Sequence, residues 1–255
     1  MPFVFRSIYF DDPPMPGRVL DIFPADGTAQ DLAFFFVHGG GWQGGSRIAM
    51  HCLMRECGYR GYESAGTDYR LKPGGLSDQM EDIRTGLRLF LDDRAAHGKS
   101  RKVFLFGSSA GGHLALMTAL APWEKGDDLR ACIAGVAVQA PAVTFEPWPD
   151  IFPHSWGRMQ NAVGASYNEA PELFRQASPM HHIHSAMPPI LILHAENEYI
   201  FPLDIAEEFQ CQAASVGGRV TIRQYSKVEH GFLYSLDRWQ QRQAFEDMME
   251  FASSL

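Results

Sequence analysis

Four short stretches of the chain carry residue types that do chemistry when brought together. The first is Gly107-Ser108-Ser109-Ala110-Gly111-Gly112, which has the form G-x-S-x-G. An apolar run precedes it and a helical pattern follows. A serine on such a strand–turn–helix corner is presented as a nucleophile, and the flanking glycines let the backbone turn sharply and keep neighbours off it. The helix start beneath Ser109 favours developing negative charge. Alone, the pentapeptide also describes an ordinary tight turn; the elements on either side single it out. The second stretch is His38-Gly39-Gly40-Gly41-Trp42, directly after the apolar run Leu32–Val37. Consecutive glycines expose backbone N–H groups with no side chains in the way. Gly40, Gly41 and Ala110 are the expected donors to an oxyanion, where one donor is typically worth about 10²–10³ in rate. A phosphate-binding turn is the weaker reading, because no lysine follows in the P-loop pattern. His38 itself is expected to hold the loop by hydrogen bonding.

A serine needs a base, and the chain offers ten histidines. Position selects His230, in His230-Gly231-Phe232, after the last expected strand and before the last expected helix. It gives the chain order Ser, acid, His. The acid is sought in the segment after the strand Pro189–His194. Glu198 sits there within reach of His230, with Glu196 and Asp204 as alternatives.

The elements that must position these residues are short apolar runs alternating with helical patterns. Leu32–Val37, Glu63–Asp68, Lys102–Phe106, Ala131–Val138, Pro189–His194 and Val220–Tyr225 read as strands. Ser77–His97, Ala110–Leu120, Leu203–Val216 and Arg238–Phe251 read as helices. Phe3–Phe10 and Arg18–Phe23 read as a leading antiparallel pair joined through Pro13–Gly17. The alternation predicts an α/β fold with a mostly parallel sheet of about eight strands, covered by helices on both faces. A single domain over residues 1–255 is expected. One stretch, Val143 to Met187, shows no clear strand and holds Phe145, Trp148, Phe152 and Trp156. A long insertion of this kind is usually functional, and it predicts a small lid over about 143–187.

Bulk composition narrows the function classes. The chain has 255 residues and a formal charge of −8, which disfavours phosphate backbones, so no nucleic-acid partner is expected. The four cysteines form no C-x-x-C pair and no zinc-ligand spacing. Cys132, in an apolar run, reads as a buried, inert thiol. The compartment reads as reducing and cytoplasmic. Met1–Pro16 has no signal-peptide pattern, and no apolar run is long enough for a membrane span. His181-His182-x-His184 invites a metal reading, but no carboxylate or cysteine accompanies it at ligand spacing. No metal or organic cofactor is expected.

Taken together, HGGGW at His38–Trp42, DYRL at Asp68–Leu71, GSSAGG at Gly107–Gly112, ASPM at Ala177–Met180 and HGF at His230–Phe232 resemble the α/β-hydrolase carboxylesterases of the hormone-sensitive-lipase-like and small acyl-esterase groups. The resemblance runs from about Phe34 onward. It implies the α/β-hydrolase fold, and ester hydrolysis through an acyl-enzyme on Ser109, His230 and Glu198. Aligned on His194 and Pro202, Glu198 takes the position where the family usually has aspartate. Asp68-Tyr69-Arg70 is implied to be structural, forming ion pairs beneath the oxyanion loop. The family's long N-terminal cap is missing, so a more open site is expected. Trp42, Trp148, Trp156 and Phe232 are expected to wall a modest pocket for small acyl esters of C2 to C4. A carbohydrate O-deacetylase and an arylformamidase are the neighbouring readings. A non-catalytic binding protein on the same scaffold is the reading from another class, disfavoured because both Ser109 and His230 are present.

Overall fold

Successive residues of the central strands point to opposite faces, and both sets are apolar. In β3 (Ala33–Val37), Ala33, Phe35 and Val37 join one core while Phe34 and Phe36 join the other. The same division recurs in β5 (Val103–Ser108), with Val103 and Leu105 against Phe104 and Phe106. Strands apolar on both faces must be covered on both, which is the parallel-sheet architecture. A computed structural model shows this sheet and describes residues 4–123 and 127–255.

The sheet has eight strands in the order β1-β2-β4-β3-β5-β6-β7-β8. The remaining strands are β1 (Arg6–Tyr9), β2 (Val19–Phe23), β4 (Ser64–Thr67), β6 (Ile133–Gln139), β7 (Ile190–Asn197) and β8 (Val220–Glu229). β2 runs antiparallel to both its neighbours, and the pairings from β4 through β8 are parallel. The expected leading pair is therefore present; Phe3, its first residue, lies outside the described residues.

Helices α1 (His51–Tyr59) and α7 (Trp239–Ser253) cover one face; α2 (Leu76–Ala96), α3 (Ala110–Leu120) and α6 (Leu203–Ser215) cover the other. Between β6 and β7 lies the strandless insertion, which contains α4 (Pro153–Val163) and the short α5 (Pro171–Gln176). No expectation covered α1 or these two helices. The signal for α4 was present in the sequence: Pro153 opens it and Gly164, at φ 84°, closes it. The buried thiol is Cys57, on α1, where burial raises its pKa; Cys132, expected to be buried, is half-exposed at the start of β6. Among the described residues no helix is long and apolar enough to cross a membrane.

Candidate active site

β5 ends at Ser108 and α3 begins at Ala110, so Ser109 alone makes the corner, at φ 55° and ψ −120°. Such a conformation costs a non-glycine residue of order 1–3 kcal/mol and persists only where its surroundings fix it. Here the surroundings are backbone. A Cβ on Gly107 would lie 2.2 Å from Gly111 O, and one on Gly111 would lie 2.2 Å from Val37 O and 2.4 Å from His38 O. The Ser109 N–H donates to Gln139 O at 2.8 Å, tying the corner to β6.

The other two residues arrive through one strand pair. β7 and β8 run on beyond His194 and Tyr225, where their apolar patterns stop, to the pair Asn197↔Glu229. A register shift and a positive φ of 59° at Lys227 bend this extension. The next residue on each strand is Glu198 or His230, so pairing delivers acid and base side by side. His230 Nε2 lies 2.8 Å from Ser109 Oγ, and His230 Nδ1 lies 2.9 Å from each carboxylate oxygen of Glu198. The Glu198 side chain is wholly buried and also accepts the Ile200 N–H at 2.9 Å and the Phe201 N–H at 3.3 Å. These bonds fix the carboxylate and hold the Nδ1–H tautomer, leaving Nε2 to accept the serine proton. The two alternative acids are occupied elsewhere. Glu196 accepts the Lys227 N–H, and Asp204 accepts the Ile205 N–H at the start of α6.

Facing Ser109 is the loop after β3. Gly40, Gly41 and Trp42 have φ of 131°, 60° and 61°. The N–H groups of Gly40, Gly41 and Ala110 have no acceptor among the described residues. The loop is held from below. Tyr69 stacks on the His38 ring at 4.3 Å and its hydroxyl donates to His38 O at 3.0 Å. Burial lowers the His38 pKa, which keeps the ring neutral. Asp68 binds the Arg47 backbone N–H and guanidinium, and Arg47 also pairs with Asp21. Arg70 pairs with Asp82. The DYR motif is thus the ion-paired support that its resemblance implied.

The aromatic residues divide. Trp42 is 2% exposed; its Nε1–H donates to His113 Nδ1 at 3.1 Å and its ring meets Phe145 edge-on. Its ring anchors the loop in the core instead of standing as an open wall, which corrects the expectation. Phe232 is likewise buried, against Tyr225. Trp156 packs inside the insertion on Tyr167 and Phe174. Trp148 alone reaches the site, through Phe201, whose ring lies 5.8 Å from that of His230. The three histidines at 181–184 go to separate partners: His181 to Glu146, His182 to Gln176 O, and His184 to the Leu120 backbone.

Two residues that no motif indicated also belong to the site. Tyr234, four residues after His230, sets its hydroxyl against Gly39 and Ser108, and burial raises its pKa. A Cβ on Gly39 would lie 2.4 Å from the Tyr234 hydroxyl and 3.3 Å from Ser109 Cβ, so this hydroxyl sits near Ser109. Arg158, on α4, lies over Gly41 and reaches Gly40 O.

Sheet, corner and convergent side chains define an α/β-hydrolase. Esterase 2 of Thermogutta terrifontis, in its sarin-phosphonylated form, has the same fold with a TM-score of 0.80 at 22% identity, over 96% of this chain and 93% of that one. Residues 20–212 match the BD-FAE family model, and the chain belongs to that family, among the hormone-sensitive-lipase-like esterases. Isoprenylcysteine alpha-carbonyl methylesterase ICME of Arabidopsis thaliana is 26% identical over 265 residues, covering 96% of this chain and 61% of the relative. Esterase LipC of Mycobacterium tuberculosis is 25% identical over 247 residues, covering 89% of this chain and 59% of the relative. The chain therefore spans little more than half the length of the curated relatives it matches.

Proposed function

We propose that the protein is a serine esterase that cleaves short-chain carboxylic esters through an acyl-enzyme intermediate. The observation that carries this reading is the continuous line from Ser109 Oγ to His230 Nε2 at 2.8 Å and from His230 Nδ1 to Glu198 at 2.9 Å. As Ser109 attacks the carbonyl carbon, His230 takes its proton, and the buried carboxylate stabilises the imidazolium. The Gly40, Gly41 and Ala110 N–H groups receive the oxyanion. His230 then protonates the departing alcohol. Later it draws a proton from water, which attacks the acyl carbon and releases the acid and free Ser109.

The β6–β7 insertion acts as a cap in this reading. Arg158 lies on Gly41, Tyr234 against Gly39 and Phe201 beside His230, crowding the approach to Ser109 and favouring acyl groups of C2 to C4. The substrates are small acyl esters, and the setting is cytoplasmic, which the four free cysteines support.

Hydrolysis of 4-nitrophenyl esters from C2 to C12 tests both parts. Turnover is expected to peak at C2–C4, and Ser109→Ala to reduce it by at least about 10⁴, because the three residues act as a unit. Most activity surviving in that variant would overturn the mechanism; a peak at C10 or beyond would overturn the chain-length reading. Acetylated sugars and formyl-kynurenine in the same screen separate an ester preference from deacetylase and formamidase activity.

A further inference from the structure

Arg158 stands on α4 with its guanidinium directed at the oxyanion loop. A Cβ on Gly41 would lie 2.3 Å from Arg158 Nη1 and 2.8 Å from its Cδ, so the side chain occupies the space that the missing glycine side chain leaves. Its one polar contact among the described residues is to Gly40 O, at a long 3.4 Å. A guanidinium carries five N–H donors in a planar fork. Most of that capacity is unused here, on a half-buried side chain set against the oxyanion loop. Among the described residues it forms no ion pair. Of the insertion's carboxylates, Glu146 is engaged with His181, Glu172 with Arg175 and Glu169 with the Ser166 hydroxyl, while Asp150 is exposed and no ion pair joins it to Arg158 among the described residues. By contrast, the arginines beneath the loop, Arg47 and Arg70, are each bound to two or more acids.

A cation partly withdrawn from water gains most from a fixed, desolvated anion, and the guanidinium fork matches a carboxylate bidentately. We propose that Arg158 is a specificity-determining residue for esters that carry a second, ionised carboxylate. Half-esters of dicarboxylic acids carry it on the acyl side; acyl esters of hydroxy acids carry it on the alcohol side. The inference rests on the esterase reading and deepens it. The alternative role for Arg158 is purely positional. A trans peptide points its C=O and N–H in opposite directions, so holding Gly40 O also aims the Gly41 N–H.

Matched substrate pairs separate the two roles. Mono-4-nitrophenyl succinate against 4-nitrophenyl butyrate probes the acyl side, and 4-acetoxybenzoate against phenyl acetate probes the alcohol side. In the unaltered protein the anionic member of one pair is expected to win in kcat/KM, mainly through KM. Arg158→Met keeps the bulk and removes the charge. It is expected to reduce that anionic-to-neutral ratio by about 10- to 100-fold, the usual weight of a charge-assisted bond. An equal loss on both members of each pair would leave Arg158 as a loop support and sink the proposal, as would no anionic preference in the unaltered protein. If Arg158→Met does not fold, competition in the unaltered protein decides. Glutarate is expected to inhibit butyrate-ester hydrolysis competitively and to lose potency with added salt, whereas neutral butyramide does not. Equal inhibition by the two would overturn the proposal. The butyrate ester also guards the underlying reading. Ser109-dependent hydrolysis without anionic preference defeats the Arg158 assignment alone, whereas no hydrolysis of any ester defeats the esterase reading itself.

Discussion

At Ser109 the chain is held by its own backbone, whereas on the neighbouring strand the loop from His38 to Trp42 is held by side chains from distant segments. The corner needs Gly107 and Gly111 because backbone oxygens occupy the places their side chains would take. The loop needs Tyr69, Asp68 with Arg47, His113 and Tyr234, which arrive from β4, α3 and the segment after β8. The first constraint is steric and demands glycine, so it shows in the motif. The second is polar and drawn from several segments, and of its members only Asp68 and Tyr69 lie in a motif. It also makes the two halves of the site fail differently: the corner by steric overlap, the loop by loss of single hydrogen bonds.

Gly111→Ala is the harshest test of the steric half. The added methyl group meets Val37 O, His38 O and His38 C at 2.2, 2.4 and 2.6 Å, all backbone atoms of a central strand and its exit. Relief requires moving β3 against α3, and the expected cost is about 4 kcal/mol or more, beyond ordinary overpacking. Equilibrium denaturation measures it, with esterase activity expected to fall at least about 10²-fold in whatever folds. A variant of near-normal stability would show that the corner has slack and that the steric account is wrong.

The polar half should fail with acid. Burial pushes the His113 pKa down to about 4 from its ordinary 6.5, and the neutral ring accepts from Trp42 at Nδ1 while donating to Ala177 O at 2.8 Å. Between pH 6.5 and 4 the unfolded chain binds a proton that the folded chain refuses. The stability this group contributes is therefore complete above about 6.5, declines as the pH falls and levels off below about 4. The shift corresponds to about 3 kcal/mol. His38, lowered by burial as well, acts in the same direction. Urea midpoints across pH 8 to 4.5 check the slope, and His113→Gln should flatten it. A slope unchanged by that substitution would detach Trp42 and His113 from the acid response.

The same division governs what could be read in advance. The expected strands overlap all eight observed ones, with β7 and β8 running three and four residues past their expected ends, and Ser109, His230 and Glu198 lie together as their chain order required. Glu198 was preferred to Glu196 and Asp204 by its place after the strand and by resemblance, but the extension of β7 and β8 that delivers it contains polar residues and a kink at Lys227 and left no apolar pattern to read. Trp42 and Phe232 were misread for the opposite reason. Their neighbourhood in sequence is the site, but their rings turn away into the core, and nothing in a motif records which way a ring turns. α1, with nine residues, and α5, with six, are too short for a periodic pattern to stand out in the sequence, and helices of this length depend on tertiary packing.

Tyr234→Phe is the finest probe of the comparison, because it removes one oxygen and keeps the ring. In the native protein that oxygen lies against Ser108 on the corner and Gly39 on the loop, so it spans the two halves beside Ser109. Ser108 retains its bond to Gln139 Oε1 at 2.6 Å, and the corner itself stays sterically fixed. The loop, freed at Gly39, should therefore drift relative to the nucleophile without unfolding. A net hydrogen bond of about 1 to 1.5 kcal/mol translates into a loss of about tenfold in kcat, with KM within about twofold. The Tm is expected to change little. A fall in Tm with kcat intact would make Tyr234 an ordinary packing residue, and the corner and loop would then be held in register by the sheet alone.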